Sequence, residues 1–415
     1  MELISNEEKV TRALLVGVDT GEYDAEASLD ELEELVKSAG AEPVTALLQK
    51  LPRAESGTYV GTGKLQEIAE LCRAQEIDLV VADGELSPTQ IKNMENTADV
   101  RVIDRTTLIL DIFALRARSK EGKLQVELAQ LKYLLPRLTG RGVEMSRLGG
   151  GIGTRGPGET KIETDRRHIR RRMETLKDEL REIEKHRQML RRRREKDGVI
   201  TCAIVGYTNA GKSTLMNTLT DAGVLAQDKL FATLDPTSRA LKLPSGVSVM
   251  LIDTVGLVRR LPHHLVEAFR STLEEAAQAD VIINLCDASG EEARVHLQVT
   301  RDLLQSLGCG DTPVLTVLNK CDLLDNSLLA QDFGSCIKIS AKTGEGIDRL
   351  LEAIDDNLPV RMQRVSLMIP FAQAGLVNDI RQGGTLLGEE YTASGVAVEA
   401  VVDEMLYAKV KDYLQ

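Results

Sequence analysis

Gly206-Tyr207-Thr208-Asn209-Ala210-Gly211-Lys212-Ser213 meets every position of the pattern G-x-x-x-x-G-K-[ST], and its setting decides the fold. The apolar run TCAIV (201–205) precedes it and STLMNTLT (213–220) follows, so the loop reads as a turn from buried strand into helix. There its backbone N–H groups and the helix N-terminus face phosphates, Lys212 reaches the β- and γ-phosphates, and the Ser213 hydroxyl can ligate Mg2+. From Gly198 to about residue 360, strands and helices alternate: VSVMLIDT, ADVIINLCD, ARVHLQVTRDLLQSL, PVLTVLNK, IKISA and IDRLLEAIDDNL. That rhythm predicts a mostly parallel sheet covered on both faces.

The ends of these strands carry the remaining chemistry. Asp253-Thr254-Val255-Gly256 follows VSVMLI, which puts a carboxylate where it can hold Mg2+ through water and the Gly256 N–H within reach of a γ-phosphate. Asn319-Lys320-Cys321-Asp322 follows PVLTVL; the Asp322 carboxylate can accept from guanine N1–H and N2–H2, a donor pair that adenine lacks. GTP is therefore the expected substrate, and an ATP-driven RNA remodeller is disfavoured. Ser340-Ala341-Lys342 follows IKI and offers the Ala341 N–H to guanine O6. Between these motifs, in Leu230 to Thr237, a threonine could complete the Mg2+ shell and sense the γ-phosphate; Thr233 is the first choice and Thr237 the second. The plainer alternative is a turn beside a strand, since Asp235-Pro236 is itself a turn signal. Two other glycine-rich segments fail as phosphate loops: TYVGTGKL (58–65) has Thr58 and Leu65 where glycine and a hydroxyl are needed, and GPGETK (156–161) has no strand before it.

Working outward, residues 1–110 alternate strand-like runs (RALLVGVD, IDLVVADG, ADVRVID) with helical stretches and predict an N-terminal α/β domain. Residues 111–197 predict a long helical hairpin. Leu124, Leu128, Leu131 and Leu135 share one helical face, and Ile169, Met173, Leu176, Leu180, Ile183 and Leu190 form a near-heptad stripe broken at Arg187. Thr160 and Glu163 have capping-box spacing, which would start the second helix as the glycine-rich tip ends. Residues 198–360 form the P-loop GTPase domain, and residues 361–415 a small C-terminal α/β domain.

These pieces, GYTNAGKS, LFATLDPTSR, DTVG, NKCD and SAK, combined with RLGGGIGTRGPGETKIETDRR upstream, resemble the HflX family of translation-associated GTPases. The GTP motifs are widely shared; the glycine-rich segment before the phosphate loop singles out this family. The resemblance implies that Gly206 to Ser213 hold the phosphates, Phe231-Ala232-Thr233-Leu234-Asp235 form the first switch and Asp253 to Gly256 the second. It assigns Asn319, Lys320, Asp322 and Ser340 to Lys342 to guanine, and Ser213 and Thr233 to Mg2+. It also implies binding to the large ribosomal subunit and its RNA, and separation of stalled or idle ribosomes. A GTP-dependent binding switch in which turnover is incidental is the alternative.

Leu257 stands where many Ras-like proteins place a water-orienting Gln, so intrinsic hydrolysis should be slow and partner-stimulated. His263 and His264 are the polar candidates in cis, although a His pair in a loop is more often a surface feature. Net charge is −12, yet residues 160–197 hold 15 Lys/Arg against nine Asp/Glu. That surplus is either a solvated face laced with ion pairs or an RNA contact through Arg155, Lys161, Arg166, Arg167, Arg170 and Arg171. The six cysteines show no C-x-x-C pair and read as free buried thiols. No basic-apolar leader and no membrane-length apolar run is present, so a cytoplasmic monomer without integral membrane association is expected.

Overall fold

The computed structural model describes residues 10–138, 157–196, 198–220, 230–231, 237–260, 276–290, 292–309, 312–324, 333, 335–359 and 363–414. The chain divides into two compact units, residues 1–185 with 228–234 and 259–269, and residues 186–227 with 235–258 and 270–415.

The first unit opens with β1 (Arg12–Asp19), α1 (Ala25–Ser38), β2 (Glu42–Lys50), α2 (Thr62–Ala74), β3 (Leu79–Ala82), α3 (Pro88–Ala98) and β4 (Arg101–Asp104). The strands are all parallel, in the order β2-β1-β3-β4. β1 and β3 lie inside the sheet and are buried nearly throughout, which is why both read as unbroken apolar runs. β2 is a half-exposed edge strand without such a run, and no sequence pattern marks it as a strand. Local chemistry sets the helix starts. Asp24 caps α1 at the Ala27 N–H, and Ser87 with Gln90 forms a capping box on α3, with Pro88 at its first position.

α4 (Arg105–Arg116) is buried along Leu108, Ile109, Leu110, Ile112 and Phe113, and leads into α5 (Lys120–Arg137). α5 and α6 (Pro157–Lys196) run antiparallel: Arg172 pairs with Glu127 at 2.6 Å, and Lys120 lies 3.7 Å from Glu179. Two sequence expectations need correction. α6 begins at Pro157 rather than Thr160, because a first-turn N–H has no intrahelical partner and proline loses nothing there. On α5 the buried positions include Leu124, Val126, Ala129 and Tyr133, while Leu128, Leu131 and Leu135 are only partly buried. The helix packs against α4 as well as α6, so no single leucine stripe marks its core face. On α6 the stripe holds, with Leu176 fully buried, until Met189 and Leu190 emerge exposed.

The second unit contains β5 (Ile200–Gly206), α7 (Lys212–Thr220), β6 (Thr237–Lys242), β7 (Ser248–Asp253), β8 (Val281–Asp287), α8 (Ala293–Ser306), β9 (Val314–Asn319), β10 (Ile337–Lys338) and α9 (Ile347–Asp356). Its six strands run in the order β10-β9-β8-β5-β7-β6, parallel except for β6. Cys202, Ile204, Leu215, Leu251, Ile283 and Val317 lie in one core beneath α7 and α9. The C-terminal part adds β11 (Gln363–Ile369), α10 (Gly375–Gly383), β12 (Thr385–Thr392), β13 (Gly395–Val402) and α11 (Glu404–Val410), an antiparallel sheet ordered β11-β13-β12. Val401 joins the core of the six-stranded sheet.

All six cysteines are free, and burial pushes the Cys202 and Cys286 thiols up to about 12. No described helix is long and apolar enough to cross a membrane.

Candidate active site

The phosphate loop takes its shape from two close approaches. A Cβ on Gly206 would lie 2.1 Å from the Leu285 carbonyl oxygen of the neighbouring strand. Gly211 has φ +91°, and a Cβ there would lie 2.3 Å from Asn319 Nδ2. The loop therefore closes tightly enough to direct Lys212 inward. Its Nζ donates to the carbonyls of Gly206 (3.2 Å) and Tyr207 (2.8 Å). Burial pushes the Lys212 ammonium down to about 8, and the Asp253 charge works in the opposite direction.

Ser213 Oγ, at the start of α7, donates to Asp253 Oδ2, at the end of β7, across 2.9 Å. Thr208 Oγ1 is buried without a hydrogen-bond partner among the described residues. One hydroxyl and one carboxylate fit Mg2+, which usually takes few protein oxygens and completes its shell with water and substrate phosphate. Among the described residues no group of three His, Cys, Asp or Glu forms a protein-only cage.

The second switch lies directly on this loop. Thr254 Oγ1 donates to the Ile204 carbonyl at 2.7 Å, which fixes the strand end. A Cβ on Gly256 would come within 2.7 Å of Thr208 Cγ2 and 3.1 Å of Lys212 Nζ. Leu257 then bridges to the loop in both directions: the Thr208 N–H donates to its carbonyl (2.7 Å), and its own N–H donates to Gly206 (3.2 Å).

The residues assigned to guanine also converge. Asn319 Nδ2 donates to the Ala210 carbonyl and its Oδ1 accepts from the Ala341 N–H, both at 2.8 Å, so one side chain ties the phosphate loop to the base motifs. The Ala341 N–H offered to guanine O6 is thus already engaged by Asn319, so contact with the base shares or replaces that bond. Ser340 Oγ donates to Asp322 Oδ1 at 2.6 Å, and Lys320 pairs with Asp287 at 2.7 Å. Cys321 is half-buried and Lys342 exposed.

The other assigned residues belong to other elements or lie outside the described residues. Phe231 counts with the first unit, its ring edge-on to Phe113 at 4.6 Å. Thr237 opens β6 with its hydroxyl on Met216 Sδ. Ala232, Thr233, Leu234, Asp235, His263, His264 and Arg155 lie outside the described residues, as does the Lys161 side chain. Arg166 is half-buried on α6, and Arg167, Arg170 and Arg171 are exposed. Sequence reasoning missed His296 of α8, which stacks on Tyr207 at 3.8 Å between ring centroids, because no local pattern links the two.

Comparison with known proteins finds relatives over nearly the whole chain. Three family profiles match in tandem: "GTP-binding GTPase N-terminal" over residues 26–114, "GTP-binding GTPase Middle Region" over 116–194 and "50S ribosome-binding GTPase" over 201–320. The chain is 51% identical to a GTPase HflX of Lacrimispora saccharolytica, over 99% of this chain and 98% of the relative. It is 43% identical to the GTPase HflX of Escherichia coli K12, over 82% of each. A GTP-binding protein of Sulfolobus solfataricus, solved in complex with GDP, is 27% identical, with a TM-score of 0.44 over 84% of this chain and 98% of that one. With a phosphate loop, a D-x-x-G strand end and an N-K-x-D motif tied together by hydrogen bonds at one sheet edge, and with that identity over nearly its whole length, the chain belongs to the HflX family of GTPases.

Proposed function

We propose that this GTPase acts on the large ribosomal subunit in the cytoplasm, as a monomer, and uses GTP binding and hydrolysis to separate stalled or idle ribosomes. In this reading its parts are the four segments 1–110, 111–197, 198–360 and 361–415, with the hairpin 111–197 touching ribosomal RNA. The observation that carries it is the charge of α6. Arg181 and Lys185 are tied to neighbouring carboxylates, whereas Arg166, Arg167, Arg170 and Arg171 make no salt bridge among the described residues. A helix end with three exposed arginines and a half-buried fourth suits phosphate contacts. The match of residues 201–320 to a profile described as 50S ribosome-binding supports the same partner.

In the site, the phosphate loop and Lys212 hold the triphosphate, Asp322 reads guanine, and Ser213 and Thr233 are the residues that would hold Mg2+, with Asp253 acting through water. The ion supplies charge neutralisation at the phosphates. Leu257 presents only backbone polarity at the position that would orient water, so turnover depends on the ribosome to order the switches.

The test is co-sedimentation with large subunits in GTP analogue, GDP or no nucleotide. The quadruple replacement of Arg166, Arg167, Arg170 and Arg171 by Glu should weaken ribosome binding and reduce its salt slope by about three to four, leaving GTP affinity unchanged. Equal ribosome affinity of variant and parent at matched salt would refute the RNA contact.

A further inference from the structure

The phosphate loop has a support that the GTPase motifs do not contain. α8 buries Ala293, Leu297, Thr300 and Leu304 at spacings of four, three and four, which seats one helical face on the sheet. Cys286 Sγ on β8 donates to the Ala293 carbonyl at 3.3 Å, and Thr300 Oγ1 donates back to the His296 carbonyl at 2.9 Å. So seated, α8 holds the His296 imidazole against the one aromatic side chain of Gly206 to Ser213. The ring centroids of His296 and Tyr207 lie 3.8 Å apart, with the planes 12° from parallel. Tyr207 is 5% exposed, and both residues belong to the second unit, as does Lys212.

The stack bears on the lysine through one peptide group. The carbonyl of the Tyr207–Thr208 peptide accepts from Lys212 Nζ at 2.8 Å, and its N–H donates to the Leu257 carbonyl at 2.7 Å. The first bond aims the ammonium; the second ties the same peptide to the second switch. Switch segments rearrange around a γ-phosphate, so the bond to Leu257 holds the peptide only in some states of the site. The chain enters Tyr207 from Gly206 at φ +156°, where no Cβ limits rotation. The stack is a restraint that involves neither nucleotide nor switch. With the ring fixed against His296, the Tyr207 carbonyl keeps its direction and Lys212 keeps its aim.

We propose that His296 is a positioning residue for GTP turnover: stacked on Tyr207, it fixes the Tyr207–Thr208 peptide and so keeps Lys212 directed at the β- and γ-phosphates. The inference rests on the reading of Gly206 to Ser213 as the phosphate site. The experiment uses the full chain, with fluorescent GDP for affinity and GTP for turnover, for His296→Leu, His296→Phe and Lys212→Ala, and for His296→Leu added to Lys212→Ala. His296→Leu fills the space without a flat ring, and should lower both GDP affinity and kcat/KM for GTP by about three- to tenfold. His296→Phe, which restores a ring over Tyr207, should stay within about twofold of the parent. On the Lys212→Ala background, His296→Leu should change GDP affinity by less than about twofold, since its effect passes through the lysine. A general loosening of the loop would instead weaken binding on either background. Should His296→Leu fail to fold, His296→Gln, polar but without a ring, takes its place. Parent-like GDP affinity in His296→Leu, a phenylalanine variant as weak as the leucine one, or a leucine effect that persists in full without Lys212 would overturn the proposal. Undiminished GDP affinity in Lys212→Ala would instead remove the phosphate-site reading itself, and the proposal with it.

Discussion

In each sheet the strand order reverses beside the first strand, between β1 and β3 in the first unit and beside β5 in the second, and each places aspartates at the nearby carboxyl ends. In open α/β sheets that crevice is where ligands bind. The two crevices are filled differently. In the first unit Asp83 accepts from Ser28, Arg105 and Arg260, and Asp104 accepts from the Leu86 and Thr107 N–H groups, the Thr107 hydroxyl, Tyr133 and Arg137. Burial and the Asp104 charge push the Tyr133 phenol up, so it stays a donor. In the second unit, among the described residues, the buried lysine donates to backbone carbonyls beside a carboxylate charge, and glycines keep the space around it open. An aspartate surrounded by the chain's own donors is structural; a charged group held by half-measures marks where a ligand completes the set.

If that contrast is right, the same kind of substitution should fail in opposite ways in the two units. The largest effect is expected from Asp104→Ala, which leaves Arg137 and two backbone N–H groups without their buried acceptor. It should destabilise the protein by about 3–5 kcal/mol in urea unfolding, with nucleotide affinity in the remaining folded fraction unchanged. A loss below about 1 kcal/mol would show that the cluster carries little of the fold.

Lys212→Ala should show the reverse. Losing charge-assisted contacts to phosphate is worth about 1.5–3 kcal/mol per bond, so GDP affinity should fall by about a hundredfold in equilibrium titration. Nucleotide-free stability should not fall, because burial already disfavours the ammonium. A lower unfolding midpoint in the variant would make Lys212 a structural residue and erase the contrast.

The sequence exposed these two sheet edges unequally. The second was legible because nucleotide chemistry demands particular residues at fixed spacing, so the pattern alone singles out Gly206, Gly211, Lys212 and Asp253. The first was not. Asp83, Ser28, Glu31, Arg105 and Arg260 come together only through folding, and each alone is an ordinary charged or polar residue. The same limit hid the Tyr207–His296 stack and the engagement of the Ala341 N–H by Asn319. Periodicity marks the helices as elements, but α5 packs on two neighbours, which blurs the face inferred from its leucines. Fixed-spacing chemistry survives in one dimension, whereas complementary pairing across long sequence separations does not.

The smallest effect is the sharpest, because its two halves must carry opposite signs. In the nucleotide-free protein Lys212 titrates at about 8, against 10.5 for an ordinary lysine. Phosphates favour the ammonium, so GDP binding at pH 8.5 should take up roughly three-quarters of a proton through this group, and close to none at pH 6.5. Affinity then falls as pH rises through 8, approaching about tenfold per pH unit at the steepest. Folding responds the other way. Between pH 8 and 10.5 the unfolded chain keeps a proton that the native lysine has released, so this group's contribution to stability improves with rising pH across that window. Calorimetry of GDP binding in buffers of different ionisation enthalpy measures the first half. The difference in unfolding free energy between parent and Lys212→Met, followed with pH, measures the second. A parent that loses both affinity and stability relative to Lys212→Met above pH 8 would mean that the ammonium is already satisfied without nucleotide, and the second crevice would then be as complete as the first.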